Sequence, residues 1–454
     1  MVGTKIPLLI SKLAIPTIIG MIVTAAYNIA DTYFVSQLDD TAATGAVSVV
    51  FSLMAILQAV AFTIGMGAGS WISRLLGKED NQKASKIASS SIFMGLVFGI
   101  LILIFGKIFI RPLMGFLGAK EEILPYAISY GEYILYGAPF MVTSFVLNNL
   151  LRSEGMAKFS MIGIGIGGLL NIALDPLFIF PQFLGLKTAG AALATCISQA
   201  ISAIILLMPF LLKKTSVRLT LGFSKSIVDY LKIIRNGLPS FVRQGLASVA
   251  TILLNKGAGA FGGEDSIPAI AAMGVVGKVF MVVFSVVIGF GQGFQPVMGY
   301  NYGAKQYNRV RQAFLFTWIV MTVIMTIFSI VGYLAAPNII ALFSGETQDL
   351  KMIEIGTFAF RAQCFAMPIM PLGVVCNMTY QSIGKSWLAT FLASCRQGIF
   401  YIPLILFLPS IWGLTGIEIT QALSDVMTFL VCIPAAVYFF RMVGKKETEE
   451  KDTQ

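Results

Sequence analysis

The chain has 454 residues, 57% hydrophobic and 12% charged, with a formal net charge of +10. A soluble domain carries about 25% charged residues, so a soluble globular protein is excluded. The absence of histidine removes His-based metal sites, His general bases and Ser-His-Asp triads. The basic excess lies in alternate loops rather than one patch, which argues against nucleic acid.

The apolar residues come in continuous runs of about 20 or more, the length that crosses ~30 Å of hydrocarbon as a helix. Continuous runs exclude a β-barrel, whose strands alternate. Twelve spans are expected, at 13–36, 45–73, 88–111, 125–151, 159–180, 188–212, 230–256, 267–297, 311–335, 351–380, 388–408 and 414–440. The first run is too long for a signal-peptide core. It carries Asp31, and a carboxylate at membrane depth costs at least ~2.5–3.5 kcal/mol. Asp31 is either a structural hydrogen-bonding group or a cation or proton site.

Gln58 is a polar position in the second span and Asn148 in the fourth. The fifth span holds GIGIGGLLN, read as a helix-packing face rather than a nucleotide fingerprint, because no strand precedes it. It also holds Asp175, directly before Pro176. Asp175 repairs the helix that Pro176 interrupts, or it binds. Asn171 lies four residues earlier on the same helical face. Asp31, Asn171 and Asp175 together offer oxygen-only ligation, which suits a hard cation and equally a proton.

Residues 213–229 form the main polar interruption, expected as a linker or an interfacial helix. Gln244 and Asn255 in the seventh span and Asn377 in the tenth are further candidates for a substrate cavity. Asn148 and Asn377 serve either that cavity or a helix–helix hydrogen bond. Arg243, Lys278, Arg361 and Arg396 also fall within spans. Lys278 is expected to pair with an acid such as Asp425 or to shape a cavity. The five cysteines sit in apolar runs without C-x-x-C spacing, as free thiols do.

Lys and Arg concentrate at the N-terminus, in alternate loops and in the tail, which places both termini in the cytoplasm. The halves repeat in order. Pro16 aligns with Pro239, Gly65/Gly67/Gly69 with Gly289/Gly291/Gly293, Pro139 with Pro368, and Pro176 with Pro403. LLGKEDNQK answers NYGAKQYNR. An even number of spans per repeat gives the parallel-repeat transporter plan. The expected units are 1–212 (six helices), 213–229 (linker), 230–442 (six helices) and 443–454 (polar tail).

YNIADTYFVSQL, the GxGxGxxxSRLLGKED loop, NIALDPLFIF and GAALATCISQ resemble the multidrug and toxic compound extrusion (MATE) family, over about residues 8–442. The resemblance implies an all-α fold of two six-helix lobes in a V. It also implies export of organic cationic or lipophilic compounds against inward H⁺ or Na⁺, with no cofactor. The implied coupling-ion site is Asp31, Asn171, Asp175 and Thr195; Asn28, three residues before Asp31, is an added donor by its spacing. A flippase for a lipid-linked saccharide or another polar lipid is the alternative. An intramembrane enzyme or a channel is the third reading: the lack of His and of any nucleophile–base or metal constellation argues against an enzyme, and a channel would more naturally form a ring of identical subunits. The expected form is a monomer in the cell membrane.

Overall fold

Apolar runs in hydrocarbon must satisfy every backbone hydrogen bond within themselves, and helices do so. The computed structural model describes residues 3–37, 41–180, 182–220, 222–343 and 350–453, and all its regular elements are helical. The first half contains α1 (Ile6–Ser36), α2 (Thr41–Gly77), α3 (Asn81–Ile108), the short α4 (Ile110–Phe116), α5 (Leu124–Ser153), α6 (Ala157–Ile179) and α7 (Lys187–Leu211). The second contains α8 (Ile227–Phe261), α9 (Ser266–Gly303), α10 (Tyr307–Ala341), α11 (Leu350–Ala366) and α12 (Met370–Ser382). It ends with α13 (Ser386–Ser394), a π-helical turn (Cys395–Ile399), α14 (Tyr401–Trp412) and α15 (Leu414–Thr453).

Among the described residues, eleven helices are long and apolar enough to cross a membrane. The pair α11–α12, bent by 57°, makes up to twelve. That bend departs from the single tenth span expected. Pro368 lies in the break and Pro371 opens α12, so two backbone donors are missing within four residues. Its repeat partner Pro139 has no such neighbour and sits inside an unbroken α5. The expected tail is not separate either, because α15 runs through it.

The linker is not an interfacial helix. Its residues 214–220 and 222–226 form a non-helical strap over the ends of α3 and α5, and 227–229 already belong to α8. Val217 N donates to Glu154 Oε2 at 3.0 Å, Arg218 N to Ser85 Oγ at 3.0 Å, Thr220 N to Ser89 Oγ at 3.0 Å, and Ser224 N to Ser90 Oγ at 2.8 Å. The α3 serines stand in for the strand partner that the strap lacks. Burial raises the Glu154 carboxyl to about 7, against two strap amides that favour its charged form.

The two six-helix lobes meet in a seam at the end of the bundle that carries both termini. Backbones touch there, which only glycine permits. A Cβ on Gly67 would lie 2.1 Å from the Ile233 carbonyl, and one on Gly237 1.8 Å from that of Thr63. Gly289 and Gly293 press in the same way on α1 at Ile18 and Ala14. Gly65 and Gly69 face Asn149 and Ser153 of their own lobe. The start of α1 (Ile6, Ile10, Ala14) belongs to the apolar core of the opposite lobe. Beyond the seam α1 packs along α6 of its own lobe, and the lobes splay as a V.

Gly67→Leu is expected to cost about 1–3 kcal/mol or more of overpacking, read as a lower thermal unfolding midpoint in detergent. Gly165→Leu is expected to leave it unchanged, because a Cβ there meets nothing within 4 Å.

Candidate functional site

Asp31, on α1, is 9% exposed, and Asp175, Asn171 and Thr195 are 0%, 2% and 3% exposed. The fold therefore brings together four residues from three helices, all buried. The Asn171 amide donates to Asp175 Oδ1 at 3.2 Å and to Thr195 Oγ1 at 3.3 Å. The Tyr130 hydroxyl, from α5, donates to Asp31 Oδ2 at 3.2 Å. Gly168 lets α1 approach α6, since a Cβ there would be 2.8 Å from Val23. α1 packs along α6, and both carboxylates are buried in that packing.

Among the described residues, three buried acceptor atoms have no hydrogen-bond partner: Asp31 Oδ1, Asn171 Oδ1 and Asp175 Oδ2. Two carboxylates and an amide oxygen, with no basic side chain among their hydrogen-bond partners, call for positive charge. A hard cation would take such oxygens directly, and a proton would turn one carboxylate into a donor. Among the described residues, no group of three or more His, Cys, Asp or Glu could hold a metal.

The other expected residues separate. Asn28 donates to Thr24 O in its own helix at 2.9 Å, so it does not support Asp31. Asn148 bonds Ser160 of α6, and Asn377 donates to Ala389 O of α13 at 2.6 Å. Both asparagines are buried helix–helix ties at equivalent repeat positions, not cavity residues. Gln58 and Gln244 are half-buried, and Asn255 is exposed. Lys278 is exposed and does not pair with Asp425.

Asp425 is held by Arg396, with Nε at 2.6 Å from Oδ1. Gln363 Nε2 donates to its Oδ2 at 2.8 Å and Gln421 Nε2 to its Oδ1 at 3.2 Å. The Arg396 guanidinium also stacks 4.6 Å from the Phe284 centroid and 5.3 Å from that of Phe280. Arg396 sits in the π turn, a feature common at functional positions. The second lobe thus carries a polar cluster that is neutral and satisfied. The first lobe's is acidic and is not.

Sequence reasoning passed over Tyr130, because a tyrosine near a span end reads as an interface residue. Arg74 and Arg152, at the loop ends of α2 and α5, lie in the seam. Arg152 is buried in the seam, bonded to Asn149 and to Gln292 of the opposite lobe. Arg74 Nη1 donates to Ser382 O across the seam at 2.5 Å.

Two pseudo-symmetric six-helix lobes closed at one end, with an acidic site buried in one of them, define a multi-pass membrane transporter. A profile of the MatE family matches residues 16–177 and 239–407, and the chain belongs to that family, the MATE transporters. It is 26% identical over 441 residues to the multidrug export protein MepA of Staphylococcus saprophyticus, covering 96% of this chain and 94% of that one. It is 28% identical over 429 residues to MepA of Staphylococcus aureus strain MSSA476, covering 94% and 92%. Its fold is similar to that of a multidrug resistance MATE family transporter of the MOP superfamily in an outward-facing conformation. The TM-score is 0.90, with 28% identity over 98% of this chain and 97% of that one.

Proposed function

We propose that the chain is a secondary multidrug exporter of the cell membrane, moving organic cationic or lipophilic compounds outward against entering H⁺ or Na⁺. The coupling ion binds at Asp31, Asn171, Asp175 and Thr195, with Tyr130 as an added donor. The observation that carries this reading is the set of three buried, unpartnered acceptor oxygens in the first lobe. The relatives' names as multidrug export proteins support the substrate class. With both termini in the cytoplasm, the orientation that the loop charges favour, the closed seam faces inward and the splayed lobes open outward. Ion entry into the first lobe and opening of the seam then alternate access to the space between the lobes. The exporter works as a monomer.

The test uses purified protein in proteoliposomes loaded with ethidium, under an imposed proton gradient or an imposed Na⁺ gradient at equal membrane potential. One gradient is expected to drive ethidium movement, and that gradient names the ion. Equal movement with both gradients collapsed would defeat the coupled-export reading.

A further inference from the structure

At the end of the molecule that carries both termini, far along α1 and α6 from the acidic site, the seam opens into a pocket of about 820 Å³. Five cations line it: Arg74, Lys78, Lys232, Lys305 and Lys446. Among the described residues, the only acid lining it is Glu79. Asp229 precedes Lys232 on α8, and Glu447, Glu449 and Glu450 follow Lys446 on α15, so acids flank the pocket at its rim. None of the five cations forms a carboxylate salt bridge among the described residues. Arg74 is spent on the Ser382 carbonyl at 2.5 Å, and Lys446 donates to Tyr302 Oη at 2.7 Å. Lys232 sits 4.2 Å over the face of Trp71.

Loop orientation explains why these cations are on this side of the membrane. It does not explain why they converge in one concavity contributed by both lobes. Like charges gathered so closely repel, and an anion relieves them. The pocket's floor is also built by the repeat. Gly77 presses on the Tyr300 carbonyl (2.1 Å from a built Cβ), and its repeat partner Gly303 presses on that of Arg74 (2.2 Å). Their neighbours Glu79 and Lys305, again repeat partners, both take left-handed backbone conformations, with φ of 62° and 58°. Two equivalent turns therefore face each other across the pseudo-twofold axis, and the pocket lies between them.

We propose that this pocket binds an anionic phosphate group, clamped between the turns of the two lobes while the seam is closed. Lysine ammonium groups bind phosphate as point charges and arginine as a fork. Basic pockets between membrane helices take phospholipid headgroups in the same way. Because the anion touches both lobes only when they meet, its binding favours the closed seam. The phosphate comes either from an anionic lipid of the adjoining leaflet or from a soluble ion.

The test measures the thermal unfolding midpoint of the full-length protein in neutral maltoside micelles. One arm adds dioleoylphosphatidylglycerol, with dioleoylphosphatidylcholine as its zwitterionic control. The other adds inorganic phosphate, with chloride at matched ionic strength. Each arm is repeated on the double variant Lys78→Gln/Lys305→Gln, whose unliganded midpoint is expected to equal or exceed the parent's. A saturable rise with either anion is expected in the parent, with binding about tenfold weaker or more in the variant, the loss from removing charge-assisted bonds. A rise with phosphatidylglycerol alone names the lipid, and a rise with inorganic phosphate identifies a soluble ion. No rise in either arm, or an equal rise in the variant, overturns the proposal.

Discussion

Asp31→Asn and Asp175→Asn are each expected to reduce drug efflux to the level of cells lacking the protein, while membrane abundance stays at the parent's. The substitution keeps size and shape but removes a charge from a site whose remaining oxygens have no counter-charge. The variants should therefore fold at least as well as the parent, since an amide is cheaper to bury than a lone carboxylate. What they lose is the differential affinity for a cation that couples ion entry to lobe motion. A loss of about 1.4 kcal/mol in that affinity is already tenfold. Tyr130→Phe is expected to do less. It removes one hydrogen bond that stabilises the ion-free carboxylate, worth about 1.5–3 kcal/mol, and shifts the ion concentration for half-maximal transport downward while the maximum survives. Ethidium accumulation in cells, with membrane abundance from a blot, checks the aspartates. Ion titration in proteoliposomes checks Tyr130. If both aspartate variants exported ethidium like the parent, the coupling site would lie elsewhere.

The acidic site was legible in the sequence for a thermodynamic reason. A carboxylate within twenty apolar residues has few explanations, and Asn171 and Asp175 share a helical face by spacing alone. Thr195 came only from the family resemblance, and its 3.3 Å contact with Asn171 now puts it in the same cluster. Asn28 had the right spacing from Asp31, but its amide found a nearer acceptor one turn back in its own helix. Contacts between helices were not legible, because periodicity fixes the face of one helix and not its partner. Lys278 was the residue expected to pair with Asp425, and Arg396 takes that place. The π turn at Cys395–Ile399 alters the register around Arg396, which a 3.6-residue period does not anticipate. Glycine spacing announced close packing but not its partners. Gly67 meets the opposite lobe, while Gly65 and Gly69 meet their own.

Asp425→Ala is expected to destabilise the protein by about 3–5 kcal/mol, the cost of leaving one member of a buried ion pair alone. Asp425 is 0% exposed and Arg396 13% at the side chain. Without the carboxylate the guanidinium keeps only the faces of Phe280 and Phe284, and Gln363 and Gln421 each lose an acceptor. Replacing both partners with apolar residues, as in Arg396→Met with Asp425→Leu, is expected to restore most of the loss, because a buried pair barely exceeds its own desolvation cost. Thermal unfolding of the single and double variants in detergent gives the coupling directly. Additive losses would mean that the pair is not the unit drawn here. The contrast with the first lobe is the point of the experiment. Asp425 has a partner for each oxygen, so removing it damages the fold. Asp31 and Asp175 each keep one oxygen unpartnered, so neutralising them should spare the fold and abolish transport.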